Sequence, residues 1–398
     1  MQQSKTFFLI IFILIIGAGL RLYGIDTENL WTDEAFSVHH AGDASLKEII
    51  VDVSQTEAAP PGYYIFLHYW MQLFGDSEFS VRFPSVLFGV LSVVLLFIIT
   101  KKLFALPIAL LTSAFMATSM LQILFAQEAR MYSLFTLFSL LATQQFLGLL
   151  ESETREKYVK YAGIMILSLY VNYITFVLMG ILVLIWWYRK KNLSVFLQTN
   201  FFILIFAFPL YPLLKTQFAT LNSGLTQTLI SKHLPAFLAQ FGLFFYAIPF
   251  GIVLVVLLLF TQWKYLQKKI QQIFLSDIFF VCGVFLFISS YLYLTFSPLS
   301  ILGIPLLHSP LTHSYFIIRH LLFLAPLLYL YLAYKITTMR WRKIAVAIVL
   351  CIFLINSIAL HQHYTTTTKS EWEKTFILIK NQSGETPLVL LDKGGFSN

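Results

Sequence analysis

Leu30-Trp31-Thr32-Asp33-Glu34 opens a polar stretch that closes on Ala58-Ala59-Pro60-Pro61-Gly62-Tyr63-Tyr64, and an apolar run lies on either side of it. Counted from Asp26, this stretch holds eight of the 19 acidic residues of the chain. Two adjacent carboxylates beside a tryptophan, just past a long apolar run, need a physical reason. The surrounding chain supplies the choices.

The 398 residues are 58% hydrophobic and 12% charged, with mean hydropathy +0.77. A soluble domain carries about 25% charged residues. Apolar runs recur from end to end, and a span needs roughly 20 mostly apolar residues. Eleven candidates follow: Thr6–Tyr23, Phe83–Thr100, Leu106–Phe125, Tyr132–Leu150, Tyr158–Asn172, Ile174–Tyr188, Val195–Leu214, Phe237–Phe260, Leu275–Phe296, Ile317–Tyr334 and Ile344–Leu360. The expected class is an all-α polytopic membrane protein of about eleven transmembrane helices with a large first extracytoplasmic loop. The fifth and sixth runs meet at Asn172-Tyr173, which predicts a tight helical hairpin or a re-entrant pair. Phe7–Leu20 reads as an anchor with no small-residue cleavage site after it. Cys282 and Cys351 both fall in apolar runs, so the expectation is two buried small hydrophobes rather than a disulfide or metal pair.

Charge sets the orientation. With the N-terminus in the cytoplasm, 16 of the 27 Lys and Arg fall in the short inner segments, but only four of the 19 Asp and Glu. The inner face is then net +12 and the outer face net −4, the pattern of the positive-inside rule. The formal charge of +8 is therefore a topology signal and not a nucleic-acid footprint. The long outer segments are Gly24–Arg82, Tyr211–Ala236, Ser297–Phe316 and the tail from His361, which reads either as a vestigial outer domain or as a truncated one. The division expected is a membrane domain over 1–360, with its first outer loop at 24–82, and a short outer tail over 361–398. In the tail, Glu371–Lys380 and Pro387–Leu391 read as a helix and then a strand. In the first loop, Tyr63–Phe74 is aromatic and apolar but too short to span. It predicts a helix lying at the membrane surface. Asp43–Val53 predicts a second amphipathic helix.

Each polar feature has a structural reading and a chemical one. Thr32 can cap a helix whose first turn puts Asp33 and Glu34 at the positive end of the dipole. Alternatively, one of the two carboxylates takes a proton from a hydroxyl nucleophile. Successive helical residues point about 100° apart, so the pair divides its tasks: one faces a site, the other orients it. In Gln127-Glu128-Ala129-Arg130-Met131-Tyr132, Glu128 favours a helix dipole and Arg130 snorkels, or else Arg130 binds an anion that Glu128 helps to orient. Arg319-His320 offers a guanidinium fork matching phosphate oxygens, or an interfacial anchor. Arg82 and Arg21 carry the same ambiguity with a weaker case. Pro60-Pro61 stops one segment and Tyr63-Tyr64 opens the next, which makes Tyr63, Tyr64 and His68 candidate walls of a lipid-facing site. His39, His40, His68, His308, His313, His361 and His363 fall outside. Their spacing matches no compact metal motif; no metal or cofactor is indicated, and a divalent cation stays an alternative.

Trp31-Thr32-Asp33-Glu34-Ala35, Pro60-Pro61-Gly62-Tyr63-Tyr64, Gln127-Glu128-Ala129-Arg130-Met131-Tyr132 and Tyr315 with Arg319-His320 occur in this order and on one side. The pattern resembles the bacterial and archaeal protein O-mannosyltransferase-like glycosyltransferases, family 39-like membrane enzymes of the GT-C class akin to the aminoarabinose transferases of lipid A. That resemblance implies a polyprenyl-phosphate sugar donor used at the outer face of the cell membrane, with a protein, glycolipid or polysaccharide acceptor. It implies Asp33 as catalytic base, with Glu34 beside it, and Glu128, Arg130 and Arg319 as donor-binding residues. Such a single displacement would invert the anomeric centre and needs no ATP, in keeping with the absence of a Gly-rich phosphate loop. The tail is much shorter than the outer domains that some relatives carry. The competing class is a transporter or flippase of lipid-linked sugars, which should carry ionisable residues within its spans or paired broken helices. A purely structural scaffold does not explain acids and arginines gathered on one face. Reporter fusions at Lys190 and Ser223 are expected to report opposite sides of the membrane; the same side would overturn this topology.

Overall fold

A computed structural model of the protein describes residues 2–42, 45–189, 193–217, 319 and 322–365. Among them the secondary structure is helical, with no strand. In chain order the helices are α1 (Gln2–Leu22), α2 (Thr32–Ala41), α3 (Leu46–Thr56), α4 (Gly62–Phe74), α5 (Glu78–Leu103), α6 (Leu106–Thr118), α7 (Met120–Ala126), α8 (Tyr132–Glu151), α9 (Arg155–Val171), α10 (Thr175–Tyr188), α11 (Leu193–Ala207), α12 (Ala325–Thr338) and α13 (Arg342–Thr365). Five stretches are long and apolar enough to cross a membrane: Ser4–Leu22, Glu78–Leu103, Tyr132–Glu151, Leu193–Gln217 and Arg342–Thr365. A bent pair, α6 with α7, makes a sixth if it is counted as one span. Thr175–Tyr188 and Leu322–Thr338 are apolar but shorter. The expected spans Phe237–Phe260 and Leu275–Phe296 lie outside the described residues, as do Tyr315, His320, His308, His313, Cys282 and the tail elements Glu371–Lys380 and Pro387–Leu391.

α5 is the central helix, packed against α1, α4, α6, α7 and α8. Ser85, Gly89 and Ser92 fall at i, i+4 and i+7 and are the small face that admits close neighbours. A Cβ at Gly89 would sit 2.9 Å from Arg21 Nε and 3.2 Å from Ala126 Cβ. Proline at position 84 removes one N–H from the helix ladder and frees the carbonyl four residues earlier. That carbonyl, of Ser80, accepts the Trp70 indole N–H at 2.9 Å and ties α4 to α5. The outer faces of α1 and α13 stay apolar and exposed, with Phe7, Phe8 and Phe12 on one and Val346, Leu350 and Leu354 on the other. They are the surfaces a bilayer would cover. Cys351 shares the exposed side of α13, contrary to the expected burial, because α13 lends the bundle only a narrow stripe.

The third span is not one helix. It breaks at Ser119, and α6 and α7 meet at a bend of 54°. Neither Gly nor Pro marks the place; contacts from distant segments hold it. Carbonyls freed at the end of α6 accept Arg21: Ala117 O from Nη1 at 2.8 Å and Met116 O from Nη2 at 3.1 Å. The Met120 N–H donates to Asn356 Oδ1 at 3.2 Å, and Ser119 Oγ meets the Tyr329 hydroxyl at 2.7 Å. Arg21 is therefore a buried helix-end ligand rather than a snorkelling anchor.

The first loop folds as three helices: α2, which the sequence offered as one of two readings, and two expected outright. α3 covers the expected amphipathic segment, with Ser45 accepting the Glu48 N–H at its cap. α4 covers Gly62–Phe74 as expected from its aromatic run. Asn172 closes α9, its Oδ1 accepting the Ile174 N–H at 3.0 Å, and α10 starts at Thr175, which makes the predicted tight hairpin. α13 runs on to Thr365, five residues past the expected end.

Gly62 explains the motif that ends the loop. A Cβ there would stand 2.4 Å from the Tyr170 carbonyl oxygen, on the last turn of α9. Backbone cannot yield as a side-chain tip does. Gly62→Ala is expected to cost about 1–3 kcal/mol and to lower the unfolding midpoint in detergent. Gly163→Ala, in the interior of α9 with nothing within 4 Å, is expected to be neutral or to stabilise by up to about 1 kcal/mol. Equal midpoints for the two variants would contradict the close approach.

Candidate active site

The first turn of α2 is where segments far apart in sequence meet. Trp31, not Thr32 as expected, is the N-cap, and Asp33 and Glu34 lie in the first turn, so the two acids do face the positive helix end. Their side chains then part company. Glu34 is wholly buried and faces Arg82, also buried, across a two-pronged pair: Nε to Oε1 at 2.8 Å and Nη2 to Oε2 at 2.9 Å. Glu34 Oε1 also accepts the Ala129 N–H at 2.9 Å, from the turn before α8. Arg82 spends its remaining donors on backbone: Nη1 on Ile25 O at 2.6 Å and Glu28 O at 2.8 Å, Nη2 on Asn29 O at 3.0 Å. One ion pair thus joins the end of the α1–α2 connection, the start of α2, the second turn of α5 and the α7–α8 turn.

Arg130 is buried and faces a carboxylate that sequence reasoning passed over. Its Nη1 donates to Glu57 Oε1 at 2.9 Å and its Nη2 to Glu57 Oε2 at 3.2 Å. Nη1 also reaches the Asp33 carbonyl and Ser37 Oγ, each at 3.0 Å, and the Tyr64 hydroxyl at 3.4 Å. Arg130 therefore braces the first turn of α2, and its charge is balanced by Glu57 at the end of α3. A signal for Glu57 did exist: a lone acid just before Ala58-Ala59-Pro60-Pro61, where a buried outer arginine needs a partner.

Asp33 points the other way. Its Oδ2 accepts Arg319 Nη1 at 2.7 Å, and this pair keeps contact with solvent, with Asp33 28% and Arg319 15% exposed. The guanidinium of Arg319 lies over the Tyr132 ring, its Cζ 5.9 Å from the centroid. Of the ion pairs gathered here this is the most open, and it joins residues 286 positions apart.

The remaining candidates line the interior. Tyr63 and Tyr64 have no exposed surface, and burial pushes both hydroxyls above the ordinary tyrosine range; for Tyr64 the nearby Arg130 opposes the shift. Both sit beside Arg130, Tyr64 within 3.4 Å of its Nη1. Glu128 is buried within electrostatic reach of Tyr63. His68 is held on both sides, Nδ1 against the Ala41 carbonyl at 2.7 Å and Nε2 against Gln72 Nε2 at 2.8 Å. Those contacts put the proton on Nδ1 and fasten α4 to the end of α2. His40, named above only among possible cation ligands, is buried between Asp52 Oδ2 and Thr56 Oγ1 and clips α2 to α3. Among the described residues no group of three or more His, Cys, Asp and Glu gathers as a metal site.

Breaking one partner of a buried pair leaves a charge without compensation. Glu34→Gln and Arg82→Met are each expected to cost about 3–5 kcal/mol, read as loss of folded protein or of unfolding midpoint. The double variant is expected to lose much less than the sum. Strictly additive losses would show that the two side chains do not act as a pair.

Residues 58–215 match the family model described as dolichyl-phosphate-mannose-protein mannosyltransferase. No curated protein sequence matches the chain. Among solved structures, the Archaeoglobus fulgidus oligosaccharyltransferase in complex with Zn and sulfate is similar at TM-score 0.53 and 12% identity, over 95% of this chain and 56% of that one. The same enzyme tethered to an acceptor peptide containing the NVT sequon gives TM-score 0.54 and 12% identity, over 96% and 58%. ArnT from Cupriavidus metallidurans bound to undecaprenyl phosphate gives TM-score 0.49 and 13% identity, over 86% and 63%. The chain thus spans less than two thirds of the length of these structures. It has the GT-C fold of polytopic membrane glycosyltransferases, and within that fold residues 58–215 match the dolichyl-phosphate-mannose-protein mannosyltransferase family.

Proposed function

We propose that the protein is a glycosyltransferase that moves a sugar from a polyprenyl-phosphate donor to an acceptor hydroxyl at the extracytoplasmic face of the cell membrane. The observation that carries this reading is the Asp33–Arg319 pair: a carboxylate and a guanidinium, partly open to solvent, beside two ion pairs, Glu34–Arg82 and Glu57–Arg130, that are buried more deeply. The GT-C fold supports glycosyl transfer, and the description of the family matched by residues 58–215 supports a polyprenyl phosphate as the sugar carrier.

In this reading the acceptor oxygen attacks the anomeric carbon while its proton passes to the Asp33 carboxylate. The bond from the anomeric carbon to the phosphate oxygen breaks, and its electron pair leaves on the polyprenyl phosphate. Arg319 stabilises the charge that develops on that oxygen. A single displacement of this kind inverts the anomeric centre. Arg130, already balanced by Glu57, holds the Asp33 backbone in place and leaves the phosphate to Arg319. Glu34 fixes the turn that carries Asp33 and does not touch substrate. Acceptors consistent with a general base here are hydroxyls of protein, glycolipid or polysaccharide.

One observation speaks for a transporter: the bent pair α6–α7 with a buried arginine beside it. Arg21, however, donates to Gly17 O, Ala117 O and Met116 O, so it is spent on the bend. The reading as an enzyme is preferred.

Membranes carrying the protein, supplied with a labelled polyprenyl-phosphate sugar and a panel of acceptors, should transfer label. Asp33→Asn should slow transfer by about 10²–10⁴-fold at equal abundance. Transfer by Asp33→Asn at the parent rate would remove Asp33 as the base.

A further inference from the structure

We infer that Asp33 and the donor phosphate compete for Arg319, so that donor binding is what releases the base; this rests on the reading of Asp33 as base and Arg319 as phosphate ligand. Oδ2 of Asp33 holds Arg319 Nη1 at 2.7 Å, and this contact ties the carboxylate to the guanidinium that a phosphate would claim. The contact is one-pronged, unlike the pairs that Arg82 and Arg130 make with two oxygens each. It is also the most solvent-exposed of the three. A phosphate offers several anionic oxygens to the same planar fork and matches it better than one carboxylate oxygen. The rest of the surroundings favour exchange over disruption. Arg130 and Ser37 hold the first turn of α2 by the Asp33 carbonyl, and Glu34 anchors the same turn to Arg82. The Asp33 side chain can therefore let go of Arg319 while its backbone stays where it is.

Two consequences follow. In the absence of donor one oxygen of the carboxylate is held by Arg319, and donor binding leaves both oxygens open to the acceptor hydroxyl. After transfer, the departing polyprenyl phosphate occupies Arg319 until the Asp33 carboxyl, partly exposed, gives its proton to water and, as the carboxylate, takes the guanidinium back and helps release it.

The test is binding of undecaprenyl monophosphate, as the probe, to the purified full chain in nanodiscs. Removing a competitor should tighten binding, so Asp33→Asn is expected to bind the probe about two- to fivefold more tightly than the parent, the scale of a partly exposed ion pair. Asp33→Ala serves as the second variant and should tighten binding in the same way. Arg319→Ala should weaken binding at least tenfold, and Asp33→Asn should add nothing in the Arg319→Ala background. Unchanged or weaker binding by both Asp33 variants would overturn the exchange. So would a gain that persists without Arg319, since that would be a general effect of removing a negative charge. The base reading is judged separately, by transfer rate. Fast transfer by Asp33→Asn sinks it whatever the binding data show, and slow transfer with unchanged binding sinks the exchange alone.

Discussion

The Glu34–Arg82 pair is the constraint on which the site depends. Two buried charges in a largely apolar bundle are tolerable only because their lone pairs and protons are almost fully used. Arg82 spends five contacts on Glu34 and on the carbonyls of Ile25, Glu28 and Asn29, and Glu34 adds the Ala129 N–H. The central span, the first loop and the α7–α8 turn are thereby fixed against one another. Everything chemically interesting, Asp33 on one side and Arg130 on the other, hangs from those pieces.

Around this clamp the charges are sorted by exposure. Glu34 with Arg82 and Glu57 with Arg130 are sealed, His40 and His68 are used as fasteners, and Asp33 with Arg319 is left nearest to solvent. The division of labour between adjacent acids follows from helix geometry. With about 100° between successive side chains, Asp33 and Glu34 cannot face the same way, and the fold sends one inward and the other to the rim. A site that must handle an anionic lipid headgroup while keeping its own buried charges quiet would need this separation.

Much of the architecture was legible in the chain. Hydropathy located α1, α5, α8 and α13, and aromatic and amphipathic patterning located α3 and α4 in the first loop. Local rules also placed Asp33 and Glu34 at a helix start. The parts that escaped depend on partners far away in sequence. The bend at Ser119 has no Gly or Pro because Arg21, Asn356 and Tyr329 hold it. Glu57 matches no motif, and its main partner, Arg130, lies 73 residues on. Arg82 looked like an interfacial anchor until Glu34 was placed beside it, and His68 looked like a wall residue until Ala41 and Gln72 occupied both its nitrogens. Cys351 was misjudged because an apolar helix facing lipid reads the same as one facing a core.

The most direct measurement is an experimental structure of the full chain with a polyprenyl phosphate bound, compared with one without it, reading the separation of the Asp33 carboxylate and the Arg319 guanidinium. The account predicts phosphate oxygens on Arg319, Asp33 turned free of it, and the Glu34–Arg82 and Glu57–Arg130 pairs unchanged. A phosphate seated elsewhere with Asp33 still on Arg319, or one that splits Glu57 from Arg130, would contradict it.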